Sequence, residues 1–262
     1  MGSATTQALA ASTDALAAAS GLNLDSAAEL FASARAIGES AQLSGALADP
    51  AAPAEARSAL VSAVFAGVSA PVRSLLTTVA AQRWSSVSDL IDGVEELAIR
   101  AAAKAAPGDD IAGELFGFSR VVAANPELEL ALGSRLGGAS AKGDLVEKVL
   151  GGSASPATVL IASSLVRMPR ERRVRQVLIR ATNIVAAQAG RTVATVYTAT
   201  ALSAAQETRL RDALARRYGG EISINQVIDA TVVGGLRVQI ADDVIDGSIS
   251  ARLADLRQKL AS

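Results

Sequence analysis

The chain has 262 residues, 50% of them apolar but only 3% aromatic, with 25 basic against 26 acidic side chains and a net charge of −1. It contains neither Cys nor His, which excludes disulfides, thiol nucleophiles, imidazole bases, zinc fingers and His-ligated metals. The near-zero charge lacks the footprint of a general nucleic-acid binder, and the length suits two or three modules with cores of Ala, Leu, Val and Ile.

The opening stretch, MGSATTQALAASTDALAAASG, has no positive segment and carries Asp14, so no signal peptide is expected. No apolar run approaches the roughly 20 residues that span a bilayer. An amphipathic helix is predicted over 4–20 through Leu9 and Leu16. Helices follow over 25–39, 41–48 and 53–66; Pro53-Ala54-Glu55 suits a helix start and Gly67 a stop. From Pro71 an apolar stripe runs through Val72, Leu75, Leu76 and Val79 to Val87, Leu90, Ile91, Val94 and Leu97. It predicts one long helix to Lys104, about 50 Å at 1.5 Å per residue, with Trp84-Ser85-Ser86 as the place for a bend.

The next helices are predicted over 110–124, 126–135 and 138–151, with Gly151-Gly152 as the stop. Another begins at Pro156, and Pro169 breaks or kinks it. At Gly190 the pattern changes. RTVATVYTAT, 191–200, alternates β-branched and small residues as a strand does. Ser203 is placed to cap a helix that ends at Gly219-Gly220, and Ile222, Ile224 and Val227 mark a second strand. Then come a turn at Gly234-Gly235, a strand over 236–241, an acidic turn at Asp242-Asp243, a short strand at Val244-Ile245 and a turn at Asp246-Gly247. Ser248 is placed to cap a last helix.

Displacing the chain against itself by about 85 positions exposes a duplication. Asp25, Glu29, Leu30, Phe31 and Arg35 meet Asp110, Glu114, Leu115, Phe116 and Arg120, and Arg57 meets Lys142. Gly67 and Pro71 meet Gly152 and Pro156, which helical periodicity alone does not explain. The fold class is therefore α+β, mostly α: a duplicated N-terminal helical bundle followed by a small mixed α/β module. The expected segments are 1–106 (copy one), 107–190 (copy two) and 191–262. An additional helix, 4–20, precedes copy one.

Several constellations have plain readings. The glycine-containing stretches at 133–138 and 151–156 lack P-loop spacing and follow no strand, so they read as helix stops and loops. Asp109-Asp110, Glu95-Glu96 and Asp242-Asp243 are adjacent carboxylates without a third ligand set, and no metal or catalytic site is expected from them. Trp84 is expected partly buried where helices of copy one meet, rather than at an interface. Arg167, Arg170, Arg172, Arg173, Arg175 and Arg180 form a basic cluster. It reads first as a solvated face, then as a contact for an acidic protein partner or lipid headgroups. Nucleic acid comes last, because no aromatics interleave. Adjacent glycines permit positive φ and close backbone approach, so Gly234-Gly235 reads first as a turn or bulge.

The stretch VVGGLRVQIADDVIDGSISARLADL resembles the C-terminal signature of the delta subunit of F-type ATP synthases, the bacterial counterpart of the mitochondrial oligomycin-sensitivity-conferring protein. The resemblance rests on Gly234-Gly235, the alternating Leu236, Val238 and Ile240, and Asp243-Val244-Ile245-Asp246-Gly247-Ser248. Upstream, the first strand, the Leu202-Ser203 helix start and the Ile222/Ile224 strand fall in family order, as does Asn125-Pro126-Glu127-Leu128. The duplicated helical unit departs from the ordinary family and resembles the extended actinobacterial form. Alanine richness and arginine in place of all but four lysines point the same way, to a GC-rich bacterial genome. With no membrane segment ahead of the helices, the form not fused to a b subunit is expected.

The resemblance implies a non-catalytic stator subunit without a cofactor, one copy per complex, peripheral on the cytoplasmic face of the bacterial plasma membrane. It implies that the N-terminal helix of an alpha subunit lies in a groove carried over to Leu9, Leu16, Leu75, Leu76 and Val79. It also implies that the C-terminal end of the b subunit is held by the module containing Gly234, Gly235, Leu236, Val238, Ile240, Ile245 and Asp246. A helical adaptor of another assembly is the alternative, though it leaves the C-terminal signature unexplained. An enzyme would require a bound cofactor.

Overall fold

The computed structural model describes residues 2–134, 137–170, 173–240 and 243–249. Copy one comprises α1 (Ser3–Ala18), α2 (Leu24–Glu39), α3 (Ala41–Ala48), α4 (Ala54–Val64), α5 (Ala70–Ala81) and α6 (Val87–Ala105). Local chemistry sets these ends. Asn23 Oδ1 accepts from Ser26 N at 2.8 Å, and Ser26 returns the bond to Asn23 N, closing a capping box on α2. Ser40 caps α3 by accepting from Leu43 N.

The long helix expected from Pro71 to Lys104 is two helices. The chain leaves the helix after Ala81 and re-enters it at Val87, where Ser86 Oγ accepts from Asp89 N at 3.1 Å. Two contacts hold the break. The buried Arg57 of α4 donates to the carbonyls of Gln82 (2.6 Å) and Ala81 (3.3 Å), satisfying acceptors that a helix end leaves open. Trp84 folds inward and its Nε1 donates to Val79 O at 2.9 Å. The indole fits because α6 has Gly93 there: a Cβ would lie 2.2 Å from Trp84 Cη2. The apolar stripe was continuous in the sequence because both helices face one core; it carried no information about the backbone between them.

Copy two comprises α7 (Ile111–Ala124), α8 (Pro126–Gly133), α9 (Ala139–Leu150), α10 (Pro156–Arg167) and α11 (Val174–Gln188). Here the break at Pro169 is as predicted. The copies share a side-chain device. Glu29 Oε2 accepts from Ser69 N and Ser69 Oγ at 3.0 and 2.6 Å, at the start of α5. Glu114 Oε2 accepts from Ser155 N and Ser155 Oγ at 3.0 and 2.7 Å and from Thr158 Oγ1, at the start of α10. In each, a carboxylate from the copy's first matched helix tethers the N-terminus of the later one, where the helix dipole favours negative charge.

The N-terminal helix is not additional to the duplication. Displaced by the same interval, α1 falls within α6, and its buried Thr5, Ala8, Ser12 and Leu16 meet Leu90, Gly93, Leu97 and Ala101, all buried. Helix α6 therefore closes copy one and opens copy two. A continuous core runs from Ala8 to Val185, so the two copies share one body, and the first compact unit extends through Val185.

The second unit begins at Ala186. It contains β1 (Arg191–Thr198), α12 (Ala204–Tyr218), β2 (Glu221–Ile228), β3 (Leu236–Ile240) and β4 (Asp243–Asp246) in one sheet of order β2-β1-β3-β4. β1 and β2 are parallel, as a helical crossover between them requires, and β3 runs antiparallel to both β1 and β4. Ser203 and Gln206 close a capping box on α12, and Gly219 at φ +76° ends it. The core is Ala194, Val196, Leu214, Ile222, Val238 and Ile240. Asp243, expected in the turn, pairs with Ile240 as the first residue of β4. Asp242 and the last helix lie outside the described residues.

Candidate functional sites

The residues predicted to form a groove occupy the seam between α1 and α5. Leu16, Leu75, Leu76 and Val79 are closed inside the bundle, and Leu9 is half-buried. The outward face of this seam keeps Thr6 exposed on α1 and Thr13 partly so, with Thr77, Thr78 and Ala81 partly exposed on α5. A helix docked there would rest over the four buried side chains and touch Leu9.

In the second unit the glycine pair belongs to a backbone clasp. Gly234 and Gly235 have φ of +63° and +80°, in the left-handed region. A Cβ at Gly235 would lie 2.4 Å from Gly247 O and 3.2 Å from Ser248 Cα; one at Gly234 would lie 2.5 Å from Ile249 Cδ1. Gly247 N donates to Leu236 O at 2.9 Å, and Ile249 N donates to the carbonyls of Val233 and Gly234 at 3.1 Å each. The Asp246-Gly247-Ser248 turn thus lies directly on the glycine turn, and neither tolerates a side chain between them. Hydrogen bonds from the Ser248 side chain and backbone hold the Asp246 carboxyl below its ordinary pKa, with Arg237 adding to the effect.

Val238 and Ile240 are core residues, while Leu236 and Ile245 are half-buried against that core. The side chains the module offers outward are others: Val233, Val244 and Ile249 are exposed, and Ile249 bonds back to Val233. Val244 follows the strand alternation, opposite in sense to Ile245, so it could have been read from the sequence. Ile249 could not, because its neighbour across the clasp is distant in the chain.

Four arginines of the basic cluster, Arg167, Arg170, Arg175 and Arg180, form ion pairs within the first unit, Arg173 is exposed, and Arg172 lies outside the described residues. Arg170 Nη2 bonds Asp92 and, at 2.8 Å, Glu95 of α6. Arg180 lies 3.4 Å from Glu96 and 3.6 Å from Asp92, and Arg100 pairs with Glu96 at 2.7 Å. Three carboxylates of copy one thus meet Arg170 and Arg180 of copy two, with Glu95 and Glu96 both buried. Arg167 pairs with Glu147 at 3.0 Å and Arg175 with Glu129 at 3.0 Å. The solvated face expected for this cluster is not what Arg170 and Arg180 form: the acidic partner helix is α6 of the same chain. Among the described residues no group of acidic side chains could hold a metal ion, and no helix is long and apolar enough to cross a membrane.

The family model for the ATP synthase delta (OSCP) subunit matches residues 98–260, a segment that starts inside α6, the helix that opens copy two. ATP synthase subunit delta of Leifsonia xyli subsp. xyli is 50% identical over 100% of both chains. The subunit delta of Streptomyces avermitilis is 41% identical over 82% of this chain and 81% of its own, and that of Streptomyces griseus is 37% identical over 100% of both. A chain of the Toxoplasma gondii mitochondrial ATP synthase hexamer, solved by cryo-EM, shares 20% identity at a TM-score of 0.37 over 64% of this chain and 97% of that one, a likeness too distant to carry the assignment. Because the full-length relatives include both helical copies and the family model spans more than half the chain, the protein belongs to the ATP synthase delta (OSCP) subunit family.

Proposed function

We propose that this chain, a non-catalytic stator subunit of an F-type ATP synthase, holds the catalytic head through its helical unit and the peripheral stalk through its C-terminal module. The observation that carries the reading is the full-length identity to ATP synthase subunit delta. The mechanical demand is simple. Proton flow turns the rotor, and the head must be kept from turning with it.

The head-side contact is helix-in-groove: an amphipathic N-terminal helix of an alpha subunit lies along the α1–α5 seam, over Leu16, Leu75, Leu76 and Val79 and against Leu9. The stalk-side contact is the C-terminal end of a b subunit on the apolar surface of Val233, Val244 and Ile249 beside the Gly234-Gly235 clasp. The Leu236, Val238, Ile240, Ile245 and Asp246 framework holds that surface in shape. The subunit works in one copy per complex, on the cytoplasmic face of the membrane.

The test is calorimetry of the full chain with two synthetic peptides, the N-terminal segment of the alpha subunit and the C-terminal segment of b. Both bind on this reading. Leu9→Glu weakens only the first and Val244→Arg only the second. Absence of binding by either peptide at high micromolar concentration refutes this mechanism and favours a helical adaptor working by other surfaces.

A further inference from the structure

Because α6 serves both copies, each copy has its own version of the same seam: α1–α5 in copy one and α6–α10 in copy two. We infer that the second seam is filled by this chain's own α2, so the protein offers one open helix groove and is monovalent for the helix it receives. The inference rests on the helix-docking reading above and adds to it which copy is used.

The two seams differ in what covers them. Helix α10 packs against α9, α6 and α7, as α5 packs against α4, α1 and α2 in copy one, and also against α2, which there stands in a place that no helix of copy one takes against α5. The outward residues change accordingly. Thr77, Thr78 and Ala81 are partly exposed on α5, whereas their counterparts Ala162, Ser163 and Val166 are 0%, 4% and 1% exposed. On the other wall, exposed Thr6 and half-buried Leu9 of α1 correspond to buried Ile91 and Val94 of α6.

The closure follows from the shared helix. As the last helix of copy one, α6 packs along α2, and that packing lays α2 where a helix would dock in copy two. Gly38 makes the approach possible at the far end: a Cβ there would lie 3.1 Å from Met168 Sδ and 3.7 Å from Ile91 Cδ1. The polar groups agree. Arg170 and Arg180 reach across to Asp92, Glu95 and Glu96 and hold copy two against α6.

Hydrogen exchange of the full chain, alone and with the alpha-subunit peptide, tests this. In the free chain, residues 161–166 of α10 exchange as slowly as the core, and added peptide slows exchange on α1 and α5 only. Calorimetry gives one peptide per chain. Fast exchange at 161–166 in the free chain overturns the inference. So does peptide-induced protection on α10 accompanied by loosening of α2, or a stoichiometry of two.

A trapped variant separates the inference from the docking reading. The chain has no cysteine, so Gly38→Cys with Met168→Cys provides the sole thiol pair, oxidised with copper phenanthroline. Rapid, complete disulfide formation without peptide is expected, with peptide affinity unchanged on oxidation. At least an about tenfold loss of affinity on oxidation, restored by reduction, means that α2 must leave for the helix to bind. If no peptide binds, the docking reading falls, while free-chain exchange still decides whether α2 fills the seam.

Discussion

Replacing Gly235 by Ala puts two costs on one atom. The residue sits at φ +80°, where a side chain costs about 1–2 kcal/mol. The new Cβ would also lie 2.4 Å from Gly247 O, a backbone atom with no rotamer to yield. Relief requires the Asp246-Gly247-Ser248 turn to lift. That stretches the bond from Gly247 N to Leu236 O and those made by Ile249 N, each worth about 0.5–1.5 kcal/mol. The expected loss is about 2–4 kcal/mol, a large share of the stability of so small a unit. The protein supplies its own reporters. Its one tryptophan, Trp84, lies in the helical unit, and both tyrosines, Tyr197 and Tyr218, lie in the second. In urea, the tyrosine near-ultraviolet signal of Gly235→Ala moves to lower midpoint while Trp84 fluorescence does not. Gly152→Ala is the control: its φ is +78° but a Cβ there meets nothing within 4 Å, so only the conformational cost of about 1–2 kcal/mol remains, and Trp84 reports it. An unchanged tyrosine midpoint in Gly235→Ala refutes the clasp.

Arg170→Met leaves the buried Glu95 short of a partner and is expected to destabilise the helical unit by about 3 kcal/mol, against under about 1 kcal/mol for Arg175→Met at the more exposed Glu129 pair; the Trp84 urea midpoint reads both. Gly93→Ala drives a methyl into the Trp84 ring and should cost about 1–3 kcal/mol, with a red-shifted tryptophan emission as the indole moves toward water. Burial works to raise the Glu114 pKa, but hydrogen bonds from Thr158 and Ser155 outweigh it, and the folded value lies below the ordinary one. Its stabilising contribution is therefore full above the unfolded pKa and disappears as pH falls through the folded one. Glu114→Gln should lower the thermal midpoint at neutral pH and converge on the parent chain upon acidification; a gap that stays constant with pH contradicts the assignment.

Much of this was legible because the relevant chemistry is local. The cap at Ser203, the stop at Gly219 and the break at Pro169 each depend on a few neighbouring residues, and each acts where the sequence places it. The break at Trp84 was harder. What stops α5 is Arg57 reaching its last carbonyls and Gly93 making room for the indole, and both come from other helices. The partners of Arg170 and Arg180 are hidden for a related reason: a run of arginines identifies charge but not its partner, and Asp92, Glu95 and Glu96 lie some 75–88 positions away in the chain. Among the groove residues, an apolar stripe could not distinguish a core position such as Leu76 from a half-buried one such as Leu9, because both lie on the inward side of a helix.

The shared helix explains why the duplication yields one body. Two bundles joined by a linker would meet over a small polar surface and swing against each other. Here α6 contributes to both bundles, so its Leu90, Val94, Leu97 and Ala101 belong to a core that no hinge interrupts. Bending between the copies would require separating α2 from α10 and stripping Arg170 and Arg180 from three carboxylates, two of them buried. A stator link carries load best when deformation anywhere along it breaks buried contacts. By the same geometry, the helix that joins the copies also lays α2 across the second seam. Rigidity between copies and a single open groove are therefore consequences of one arrangement, and a variant that frees α2 from Met168 should weaken both together.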